Sequence, residues 1–171
     1  MNERLRRMAE AAHVLQSQMN DGSIVRGVLR EHKDDIMEQQ YIQLLEGKDS
    51  DGNDLRPYYT EDLKPHGYFK SQQSASNYMA WKQSLAYPYT VSRTPNAPNL
   101  FINGRFYDEL ELRFEADTVG IFPASGYAAD IIGKYGLQSF GLSALKWQVM
   151  FEQKGVRKEI QQRMKDILYD N

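Results

Sequence analysis

Cysteine is missing from all 171 positions, which excludes disulfide staples, thiolate metal sites and a cysteine nucleophile, and suits a chain made in a reducing cytosol. Long apolar runs are missing too. No segment approaches the roughly 18 apolar residues that would cross a bilayer, and the charged stretch Met1 to Glu10 has no apolar region of the kind a secretory signal carries. No sign of charge prevails: Lys plus Arg number 21 against 23 Asp plus Glu, and the net charge of -2 gives no global field to recruit nucleic acid or anionic lipid. Histidine occurs three times, at His13, His32 and His66, too scattered for HExxH or another local metal pattern.

What is present is the composition of a folding domain, with 41% hydrophobic and 26% charged residues in a length that closes one core. The expectation is a single domain over residues 1–171. Residues 1–46 form a helical N-terminal part, 47–108 a loop-rich middle, 109–123 a hairpin and 127–168 a helical C-terminal part.

Leu5, Met8, Ala12, Leu15 and Met19 recur at steps of three and four, one narrow stripe on a first helix that Asn20-Asp21-Gly22 ends. Ser23 then stands as an N-cap, and a second helix carries Val25, Leu29, His32 and Ile36 on one face as far as a C-terminal Gly47. From Lys48 to Ser71 the period vanishes among Asp, Asn, Gly and Pro, which predicts a long surface loop. A shorter helix runs from Ser74 to Leu85, and an extended connection punctuated by proline spans 87–98.

Leu110, Leu112 and Phe114 alternate with Glu111, Arg113 and Glu115, the pattern of a strand with one apolar face. Ala116-Asp117-Thr118 turns the chain and Val119 to Phe122 returns it as an antiparallel hairpin. After a short helix over 127–135, a long amphipathic helix opened by Ser143 carries Leu145, Val149, Val156, Ile160, Met164 and Ile167 on one face, with Gly155 as a kink. The fold class is α+β: an antiparallel sheet with a hairpin, flanked by N-terminal helices and a long C-terminal helix.

Chemistry is sparse. Asp49, Asp51 and Asn53 resemble the opening of a calcium loop, yet the glycine due at the sixth position is Asp54 and Glu61 falls one residue late, so the segment reads as a polar turn held by its own side chains. Glu109, Glu111 and Glu115 read as a solvated or partner-facing strand edge rather than a hydrolase pair. Gly22 to Gly27 lacks the Gly-Lys-Ser/Thr of a phosphate loop, and no GxSxG occurs. No catalytic, cofactor or metal residue is assigned. His32 reads as a core histidine, and the aromatics of the middle third read as interface ahead of base stacking, because protein interfaces favour Tyr and Trp.

The order of motifs resembles a family. The helix leading into Leu44-Leu45-Glu46-Gly47-Lys48-Asp49-Ser50-Asp51-Gly52-Asn53-Asp54-Leu55-Arg56-Pro57-Tyr58 is similar to a segment of phage virion morphogenesis proteins, the tail-completion or head–tail joining group. Asn103-Gly104-Arg105-Phe106-Tyr107 ahead of a hairpin, Tyr127-Ala128 and Lys134-Tyr135-Gly136 resemble further elements of that family. Phe140-Gly141-Leu142-Ser143 before the last helix is similar to variants from Bacteroidetes phages and prophages. Ile131-Ile132-Gly133 departs from it where many members carry a histidine.

The resemblance implies a non-enzymatic subunit of an oligomeric ring at the head–tail junction or tail end, found in the virion and in the host cytoplasm during assembly. Its partners would be copies of itself and neighbouring neck, tail or portal-side proteins, with no membrane and with DNA only by proximity in the channel. The residues that fit such an interface are Leu5, Met8, Leu15 and Met19 on the first helix and Tyr58 and Tyr59 in the middle loop; both sets read equally as side chains that simply pack on the sheet, since a core stripe and an oligomer stripe have the same spacing. Two other classes compete: a binding module contacting nucleic acid or a host protein, and a small hydrolase using Asp51, His66 or Glu109.

Overall fold

The computed structural model describes residues 3–115, 118–124 and 126–169. Among them the order of elements is α1 (Glu3–Asn20), α2 (Ser23–Glu31), α3 (Lys33–Leu45), α4 (Gln72–Ser84), α5 (Arg105–Asp108), β1 (Leu110–Phe114), β2 (Val119–Pro123), α6 (Ala128–Tyr135), a short 3-10 turn (Leu137–Ser139), α7 (Ala144–Glu152) and α8 (Val156–Tyr169). The class is α+β, with helices around a two-stranded antiparallel sheet.

The helical framework centres on α8, which packs against α1, α2 and α7, while α7 also lies on α3. Val28, Leu29, Ile36, Leu44, Met150 and Val156 form the buried heart of this layer, joined by Leu110 and Ile121 from the hairpin. Each strand shows the alternation that its sequence dictates: Leu110 is buried and Leu112 and Phe114 half-buried, whereas Glu111 and Arg113 face solvent. Arg30 of α2 lies over the Phe114 ring, so a cation on aromatic contact ties helix to sheet. The register pairs Leu110 with Pro123 and Phe114 with Val119. Ala116 and Asp117 of the expected turn lie outside the described residues.

Several elements differ from the sequence expectation. The helix expected to run unbroken to Gly47 divides at His32, whose backbone leaves helical values. No glycine or proline causes that bend. It falls where the His32 ring is held between Asp35 and Glu159, at 3.0 Å from each carboxylate. Ser23 does not cap: Gly22 occupies the N-cap in a left-handed conformation, and the Ser23 hydroxyl donates back to the Gln18 carbonyl at 3.4 Å. Gly47 does end α3 as expected. Its positive φ of 76° lets the amide of Lys48 reach Gln43 O and its own amide reach Leu44 O, which satisfies two carbonyls at the helix end.

The long C-terminal helix is two helices. Ser143 opens α7 as expected, but Gly155, at a φ of 88°, stops the chain completely before α8 begins. The break rotates α7 relative to α8, which leaves Leu145 exposed instead of sharing the buried line with Val156.

The middle third is not only surface. Tyr59, Phe69 and Ala75 bury themselves in a second cluster with Leu63, Tyr78 and Met79, separate from the main core. Ser71 caps the adjoining α4 in a reciprocal pair with Ser74. Further along, Tyr87, Phe101 and Tyr107 pack into the main core with tilted and edge-on ring contacts, and Tyr107 donates to the Asn99 carbonyl at 2.6 Å.

Candidate functional site

Burial on the 18-residue helix α1 is confined to Ala11 and, in part, Leu15 and Gln18, the line facing α8 and α2. The apolar stripe sits roughly 80° round the helix from that line at 3.6 residues per turn. Leu5, Met8 and Met19 are consequently 58, 52 and 55% exposed, and Ala12 beside them is exposed as well. An amphipathic helix normally turns its apolar face to the core. Here the stripe faces outward and only its edge, Leu15, is half-covered.

The two loop tyrosines part company. Tyr58 stays near the surface, where its hydroxyl donates to Asp54 Oδ2 at 2.6 Å and the Arg56 guanidinium covers its ring. Tyr59 is 7% exposed and packs edge-on against Phe69 and Tyr78. Burial holds its phenol well above the usual tyrosine range. It belongs to the inside of the second cluster and is withdrawn from any surface.

The polar turn has the form expected of it: the Asp49 carboxylate accepts from the amides of Asp51 and Asn53 at 3.0 and 2.8 Å. Among the described residues no group of three or more histidines or carboxylates could hold a metal ion. Asp51 and Glu109 line two different hollows, and His66 is exposed on the loop. Glu109 lies 3.3 Å from Arg105, and Glu111 lies 2.8 Å from Arg113.

His32 is half-buried and joins the bend between α2 and α3 to α8. Burial alone would lower its pKa, but the hydrogen bonds to Asp35 and Glu159 outweigh burial and raise it above the ordinary imidazole value. The same junction holds Lys154 against Asp35 and Glu38, and Arg163 against Glu31 and Glu159.

The sequence reading missed a second outward-facing apolar region. Ile102 and Tyr127 are exposed, and with Leu100, Asn103, Arg105 and Phe106 they line a hollow of about 370 Å³. Two separate motifs, Asn103 to Tyr107 and Tyr127-Ala128, thus meet at one place. Only the apolar character of Ile102 next to a turn signalled it. Comparisons of the chain with protein-family models, curated proteins and solved structures find no match.

Proposed function

We propose that the protein is a structural virion component of the tail-completion or head–tail joining type, acting as one subunit of an oligomeric ring. The observation that carries this reading is the uncovered stripe of α1. A monomer gains nothing from exposing Leu5, Met8 and Met19 in line, whereas a neighbouring copy that covers them gains on the order of 1 kcal/mol for each half-exposed side chain. A ring contact is heterologous, one face of a subunit against a different face of the next. The hollow at Ile102 and Tyr127 supplies a second, different apolar face. The ordered resemblance of five short segments to the phage family supports the same reading.

The test combines two measurements: the mass of the purified protein in solution and its detection in purified particles. The expected result is a closed multiple of the 19.8 kDa chain and a stoichiometric band in virions. A Met8→Glu, Met19→Glu double variant should remain folded but monomeric. A chain that is monomeric at high concentration and absent from particles would overturn the proposal. Steeply salt-dependent DNA affinity in that case would point to the binding-module alternative.

A further inference from the structure

In the last turn of α4 the chain buries a positive charge that has no negative partner among the described residues. The residue is Lys82, 4% exposed. Its ammonium donates to the Phe101 carbonyl, which uses one of three N–H donors. Among the described residues it has no carboxylate partner, and Arg93, the charge that acts on it, is also a cation. Arg93 itself lies over the Tyr87 ring at 4.0 Å and makes no ion pair among the described residues. The other buried lysine among the described residues follows the usual rule: Lys146 meets Glu46 at 3.0 Å.

Burying an ammonium without a counter-ion is costly, and natural folds normally supply one. At Lys82 they supply a cavity. It measures about 360 Å³, and Lys82, Arg93, Thr94 and Asn99 give it polar walls while Leu45 and Val91 give it apolar ones. Two unpaired cations beside a small, mixed hollow are the complement of an anion with a short apolar portion.

We propose that this cavity binds a small organic oxyanion, a carboxylate or a phosphate monoester, with its charged head between Lys82 and Arg93 and its apolar part against Leu45 and Val91. The missing counter-ion is then the ligand itself. Without it, burial and the nearby Arg93 charge lower the Lys82 pKa to about 8. The ligand requires the protonated amine, so affinity is full below that pH and falls by up to about tenfold per unit above it.

The test uses butyrate and inorganic phosphate as separate probes, followed by calorimetric titration of the full chain between pH 6.5 and 9.5. Saturable binding of butyrate alone assigns a carboxylate, of phosphate alone a phosphate ester, and of both the shared oxyanion site. Lys82→Met should keep the fold, because it replaces an unpaired buried charge by an apolar chain of similar length, and should weaken binding at least tenfold. Arg93→Gln provides a second variant, expected to weaken binding without removing the pH dependence. The proposal is overturned if neither probe saturates, if Lys82→Met binds as the parent does, or if affinity is flat across pH 8.

Discussion

Single residues in this protein carry charge into places where the charge decides how stability responds to pH. His32 is the simplest case. Its pKa is raised in the folded state, so the stabilisation is complete below the unfolded value of 6.5 and fades as pH climbs through the folded one. His32→Gln should therefore lose melting temperature at pH 5.5 and approach the parent by pH 8.5; equal losses at both would show that the ring acts by packing alone. Lys82 works in the opposite direction. Its lowered value of about 8 means that between pH 8 and 10 the unfolded chain holds a proton that the folded chain has released, so stability should rise with pH in that window. Above about 10 the trend reverses, because Tyr59, Tyr107 and Tyr135 are held protonated by burial while their unfolded counterparts ionise. A thermal scan of the parent should peak near pH 9 to 10, and Lys82→Met should flatten the rise. Tyr58 and Tyr59 offer a contrast at adjacent positions: Tyr59→Ser should cost about 3 kcal/mol by emptying a packed cluster. Tyr58→Ser should cost clearly less, because it gives up only a hydrogen bond to Asp54 near the surface. Denaturant titration separates them, and similar losses would mean that the second cluster contributes little.

Secondary-structure elements were legible in the sequence wherever their signal was local. Alternation marked β1, Ser143 opens α7 and Gly47 closes α3, whereas α4 begins at Gln72 under a Ser71 cap, ahead of the expected Ser74. Boundaries set by distant partners were not legible. Nothing in the residues around His32 breaks a helix; the bend falls where its ring meets Glu159, 127 positions away, as well as Asp35. The outward face of α1 was visible only as a stripe, since a stripe on the core and one on a neighbour have the same spacing. The burial of Tyr59 and Lys82 left no local trace either, because polar loop composition hides a second cluster that closes only in three dimensions. The hairpin allows a direct check of faces. Leu110→Asp should unfold the protein by placing an unpaired charge in the core, whereas Glu111→Lys should cost less than about 1 kcal/mol, the usual worth of an exposed ion pair. Equal damage by circular dichroism would reverse the assignment of faces.

At the scale of the whole molecule, α3 is joined to the segment before α7 by two buried glutamines. Gln40 accepts from the Gly141 amide at 2.9 Å, and Gln43 donates to the Gly141 carbonyl and accepts from the Ser143 amide, both at 2.8 Å. These side chains supply the hydrogen bonds that a neighbouring strand would otherwise supply, and they satisfy an irregular stretch of backbone inside the core. Their partners lie 98 to 101 residues further along the chain. During synthesis at about 5 to 20 residues per second, the face of α3 bearing Ile36, Gln40, Gln43 and Leu44 therefore waits roughly 5 to 20 s before the ribosome has made what covers it. For that interval the nascent chain presents an open apolar and amide-rich surface to the cell, and the yield of soluble protein depends on how well that surface is kept from its neighbours on the polysome.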